Sequence, residues 1–136
     1  MQATALEARD QRSFGRRTLL DTNQLSELRN ILSPCDLRKL IGDVIGVVQQ
    51  CTRAIRSTRG RATADTLRNA YDLYGTAASF GLMPLASAAE RVVSTAKTGD
   101  GPQPLSVQAR ELVSVGETTV EALLVWIDQA APEKAA

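Results

Sequence analysis

Tyr71, Tyr74 and Gly75 stand at positions i, i+3 and i+4 within the stretch Ala70-Tyr71-Asp72-Leu73-Tyr74-Gly75-Thr76-Ala77-Ala78-Ser79-Phe80-Gly81. On a helix that spacing puts all three on one face. The chemistry open to them is narrow. A phenol has a pKa near 10, so at neutral pH it is protonated and a poor nucleophile. Tyrosine is instead a frequent interface anchor, because it joins apolar area to a polar tip. Gly75 and Ala78 would leave the surface beside the two rings flat, as a docking face needs. The competing reading makes Tyr71 an ordinary surface residue and has Tyr74 cover a core edge. Arg53, Arg56, Arg59, Arg61 and Arg68 would border this face. Such a border suits an acidic partner. For the first three, a solvated helix end with charges matched to the helix dipole is the alternative.

The remaining chemistry-bearing residues compose no active site. The chain has 136 residues, no histidine and two cysteines. Cys35 and Cys51 fall in one predicted helix, roughly 24 Å apart at its rise per residue. That is too far for a disulfide, and both read as reduced packing residues. With no histidine and no cysteine pair at ligand spacing, no zinc site is expected. Glu111, Glu117 and Glu121 make no catalytic pair, and Gly99–Pro104 lacks the Gly-Lys-Ser/Thr ending of a phosphate loop. The expectation is therefore a non-enzyme with no catalytic residue, metal or cofactor.

Net charge is +1, so bulk attraction to nucleic acid or to a membrane is not expected. The arginine patch is short and lacks interleaved aromatics. No apolar run approaches the roughly 20 residues of a membrane span. Leu19-Leu20 is cut off by Asp21, too short for a signal peptide. A cytoplasmic protein is expected, with a monomer favoured over an oligomer.

The elements that must position the tyrosines follow from periodicity. Residues 1–20 read as an N-terminal arm or a short helix. Asp21 or Thr22 can cap a helix carrying Leu25, Leu28 and Leu32. Ser33-Pro34 is an N-cap followed by proline at the first helical position. A long helix over 34–58 then carries Leu37, Leu40, Ile41, Val44, Val48, Cys51 and Ile55 as one stripe. Gly42 and Gly46 inside it read as a packing contact, and Arg59-Gly60-Arg61 ends it. Thr63 caps the helix of the tyrosines, 64–81, whose inward stripe is Leu67, Ala70, Leu73 or Tyr74, Ala77 and Phe80, with Gly81 as its stop. A helix near Pro84 carries Leu85, Ala88, Ala89, Val92 and Val93. After a loop at 99–104, a last helix over 105–130 carries Leu105, Ala109, Leu112, Val113, Val120, Leu123, Leu124 and Ile127, with Trp126 over one end of the bundle. Residues 131–136 read as a disordered tail. No strand-like alternation occurs. The expected fold is all-α, an antiparallel up-down bundle of four or five helices joined by short loops over 21–130.

The stretch 70–81 resembles the signature of histidine phosphotransfer (HPt) domains, which runs Ala-His-x-Leu-Lys-Gly-Ser/Thr, then small residues, a hydrophobic residue and Gly. Ala70, Leu73, Gly75, Thr76, Ala77, Ala78, Phe80 and Gly81 fit it. Tyr71 occupies the position of the phosphoacceptor histidine, and Tyr74 that of its lysine neighbour. The resemblance spans roughly 22–125 and is specific only in 70–81. It implies a four-helix bundle of HPt type in two-component phosphorelay signalling, with a bacterial setting. It also implies a response-regulator receiver domain or a sensor histidine kinase as partner. Without the imidazole and the lysine, phosphohistidine transfer is lost, and binding remains as a pseudo-HPt function. The implied docking residues are Tyr71, Tyr74, Gly75, Ala78, Arg68, Arg53 and Arg56. The alternative is a helical-bundle adaptor or assembly subunit for a protein outside any relay.

Overall fold

The structure is a computed structural model that describes residues 19–59, 61, 63–99, 101 and 103–132. The expected arm, apart from Leu19 and Leu20, and most of the expected tail lie outside the described residues. Five helices are described, α1 (Thr22–Ile31), α2 (Pro34–Ser57), α3 (Ala64–Ser79), α4 (Met83–Thr98) and α5 (Leu105–Ala130), with no strand among the described residues. The four long helices pack as a ring: α2 against α3 and α5, and α4 against α3 and α5.

The first three helices start on side-chain caps. The Asp21 carboxylate accepts the N–H groups of Asn23 and Gln24 at 3.1 and 3.2 Å, capping α1. The Ser33 hydroxyl accepts from the Asp36 N–H at 3.1 Å, with Pro34 in the first turn of α2. The Thr63 hydroxyl accepts from the Thr66 N–H at 3.1 Å and starts α3. Chain reversal after α3 uses Gly81, whose φ of 75° is left-handed. The Leu82 N–H reaches back to the Ala77 carbonyl at 2.8 Å, closing a Schellman turn. So α3 itself ends at Ser79, two residues before the expected stop.

The core is aliphatic and alanine-rich. Leu37, Ile41, Val44, Val48, Cys51 and Ile55 of α2 are buried, while Leu40 is only half-buried. On α3 the buried positions are Thr66, Ala70, Leu73 and Ala77; of the pair Leu73 and Tyr74, it is Leu73 that points inward. Small side chains at Ala70, Ala77, Ala88 and Ala89 let α3 and α4 approach closely. Leu112, Val113, Val120, Leu123 and Ile127 complete the core from α5, with Trp126 half-buried against it. Each fully buried leucine contributes about 1.5–3 kcal/mol. Leu19 and Leu20, just ahead of the expected start at 21, are buried in the same core.

Three expectations about packing are corrected. Leu124 is 51% exposed and stands outside the stripe, because Leu123 takes the inward position beside it. Cys35 is exposed in the first turn of α2 and is no packing residue; Cys51 is buried as expected. Gly42 and Gly46 make no close contact: both are exposed, and a Cβ on either would meet nothing within 4 Å. The close approach lies elsewhere, at buried Gly116 of α5, where a Cβ would stand 2.6 Å from Thr52 Cγ2 of α2.

α1 barely touches α2 and is tied instead to the corner between α3 and α4. The Asp21 N–H donates to the Gly81 carbonyl at 3.0 Å, and Gln24 Nε2 donates to the Ser79 carbonyl at 2.8 Å. A side chain at Gly81 would stand 2.7 Å from Asp21 Cβ and from Gln24 Oε1, so the corner needs glycine twice over, for space and for φ.

Candidate docking surface

Because α3 buries positions 66, 70, 73 and 77, the opposite face, with 71, 74, 75 and 78, is exposed. Tyr71 is 43% exposed and Tyr74 40%, with Gly75 and Ala78 exposed beside them. Tyr71, Asp72, Gly75 and Ser79 line an open groove of about 650 Å³ with Val47 and Gln50 of α2 across from them. Cys51 also lines it; its thiol pKa is raised, first by burial and then by the nearby Asp72 charge. Both effects disfavour the thiolate, the form in which a cysteine attacks.

Gly75, like Gly42 and Gly46, is an exposed glycine inside a helix. Glycine inside a helix costs about 1 kcal/mol relative to alanine. At Gly116 a close approach accounts for the glycine, whereas Gly42 and Gly46 have no neighbour. At Gly75 a Cβ would meet nothing within 4 Å. No intramolecular contact accounts for this residue, and the surface it leaves bare faces solvent.

A cation does reach this face, from a helix that the signature does not include. Lys97 Nζ in the last turn of α4 lies 5.5 Å from the centroid of the Tyr71 ring, within cation–π range. Sequence reasoning missed Lys97: it is remote in the chain, and only the pairing of α3 with α4 brings it there.

The arginines divide. Arg68 Nη2 sits 3.3 Å from Asp65 Oδ1 on the same exposed turn of α3. An exposed pair of that kind contributes little to stability. Arg53 and Arg56 line a groove between α2 and α5 together with Gln49, Glu117 and Glu121, and Arg56 forms an ion pair with Glu117. Neither lines the groove beside Tyr71. The structure thus brings Tyr71 and Gly75 together with Val47 and Gln50, and places Arg53 and Arg56 with the acidic side chains of α5.

Among the described residues there is no cluster of three or more His, Cys, Asp or Glu able to hold a metal ion. No described helix is long and apolar enough to cross a membrane. No family model matches the chain, and no curated protein or solved structure matches it either.

Proposed function

We propose that this chain is an HPt-like protein of two-component signalling that carries no phosphohistidine and acts by binding a receiver domain or a sensor kinase. The observation that carries this reading is the open groove between α3 and α2 that Tyr71 and Gly75 line together. A helix-interior glycine with no neighbour, set beside two half-exposed tyrosines and an open groove, fits a face kept flat for another protein. The ring of four long helices suits the up-down architecture of that family. Tyr71 would anchor the partner in place of the imidazole, and Lys97 would supply the positive charge that Tyr74 does not. Arg68, at the outer edge of α3, would meet acidic side chains around a receiver's phosphorylation site. Arg53 and Arg56 would have to meet a different part of the partner, over the α2–α5 groove.

The test is a binding titration of the full chain against receiver domains and sensor kinases of its own cell, with and without a phosphoryl donor. Saturable binding without transfer of label, weakened by Tyr71→Ala or Tyr74→Asp, is expected. No binding across the set sinks the proposal.

A second reading, an adaptor for a partner outside any relay, draws on a different surface. Leu20, Ala122, Val125 and Trp126 line a mostly apolar cavity of about 320 Å³, and Leu124 and Val125 are more than half exposed. If that face is the working one, Val125→Asp abolishes partner capture while Tyr71→Ala leaves it intact.

A further inference from the structure

We propose that the end of the bundle where α2 stops and α5 begins is a binding site for a small phosphorylated organic ligand. The proposal is independent of the docking face on α3. Its basis is a cavity of about 240 Å³ lined by Arg56 and Arg59 of the α2 terminus, Ser106 and Arg110 of α5, and an apolar wall of Ile55 and Val113.

Three guanidinium groups at one cavity repel one another unless something negative lies between them. Glu117 neutralises Arg56. Among the described residues no carboxylate pairs with Arg59 or Arg110, which leaves about two positive charges at the cavity. Helix dipoles do not explain the set. Arg56 and Arg59 do complement the negative end of α2. Arg110 stands in the second turn of α5, near that helix's positive end, where a cation gains nothing.

The backbone gives a second, independent indication. Arg59 has φ of 54°, and it is the sole non-glycine residue at positive φ among the described residues. A left-handed residue just past a helix end is usually glycine, and Gly60 is the next residue in the chain. An arginine held there despite the steric cost points to a use for its side chain, and the cavity is where that side chain lies.

The chemistry of the ligand follows. Two uncompensated guanidinium groups match the double negative charge of a phosphate monoester and can donate to it in bidentate fashion. The Ser106 hydroxyl adds a donor. The volume exceeds what a bare oxyanion fills, and the Ile55 and Val113 wall calls for an apolar substituent on the phosphate.

The experiment is a titration of the full chain with phenyl phosphate, followed by amide and arginine Nε–H NMR shifts, with inorganic phosphate and phenol as comparisons. Saturable shifts at Arg59, Ser106 and Arg110 are expected, tighter for phenyl phosphate than for phosphate and absent for phenol. Arg59→Ala and Arg110→Ala should each weaken binding by about tenfold or more. Arg110→Lys, which keeps charge but loses the fork, should fall between. Arg91→Ala on the exposed side of α4 should change nothing. Unsaturated shifts, equal response to phenol, or affinity unchanged in both alanine variants overturns the proposal. Circular dichroism confirms that each variant is folded; if Arg110→Ala is not, Arg59→Ala and the direct titration decide.

Discussion

Replacing Gly75 with alanine should make the protein more stable, and this tests one premise of the docking face directly. Gly75 is the twelfth of the sixteen residues of α3, with a full turn of helix still to follow. End fraying therefore does not dilute its backbone term. The helix-interior difference between glycine and alanine is about 0.8–1.0 kcal/mol. A Cβ at 75 meets nothing within 4 Å, so there is no steric cost to subtract. The expected gain is about 0.5–1 kcal/mol. With a urea slope of about 1–3 kcal/mol/M for a domain this small, the midpoint should rise by about 0.5 M. The thermal midpoint should rise by about 3–5 °C. Gly75→Glu should also raise stability, since glutamate is a good helix former, while abolishing binding to any partner that docks on this face. A fall in stability for Gly75→Ala would refute the reasoning. Gly75 would then have an intramolecular role, and its bareness would no longer argue for a partner.

Gly116→Ala should go the other way. Its Cβ would lie 2.6 Å from Thr52 Cγ2, and overpacking of about 1–3 kcal/mol outweighs the helix-propensity gain; Thr52→Ser should restore most of the loss in a double-mutant cycle read by urea unfolding. Arg59→Gly should raise stability by up to about 1 kcal/mol, read as a higher urea midpoint, because it removes a left-handed L-residue; Arg59→Ala, which keeps a Cβ at that φ, should not. Cys35 should react with a thiol reagent in the native state and Cys51 only on unfolding. Since burial raises the Cys51 pKa, the folded state favours the protonated thiol. That contribution is fully present below the ordinary thiol value and is lost as pH rises through the folded one. Cys51→Val should remove this alkaline loss in unfolding titrations against pH.

Much of the helical framework was legible because it depends on neighbours in the chain. Asp21, Ser33 and Thr63 cap their helices through hydrogen bonds to residues two or three positions away, so the caps can be read locally. The stripe from Leu37 to Ile55 repeats over several turns, so single ambiguous positions do not blur it. What could not be read depends on what lies across from a residue. Gly42 and Gly46 have a spacing that suits close packing, yet no helix lies against them; Gly116 has no motif around it, yet Thr52 does. Leu123 and Leu124 are chemically identical neighbours, and only the direction of the α5 face separates them. On the candidate surface, the exposure of Tyr71, Gly75 and Ala78 follows from the period of α3. Lys97 and the separation of Arg53 and Arg56 from the tyrosine groove follow from how helices pair, and no local spacing carries that.

The hydrogen bonds at Gly81 give the molecule a brace. Leu19 and Leu20 are buried in the core, and the residues after them are fastened to the Ser79 and Gly81 carbonyls, while α1 has little grip on α2. The end of α3 is thus braced by a segment 55 residues away in the chain. Gln24→Ala would remove one of the two hydrogen bonds and loosen that brace.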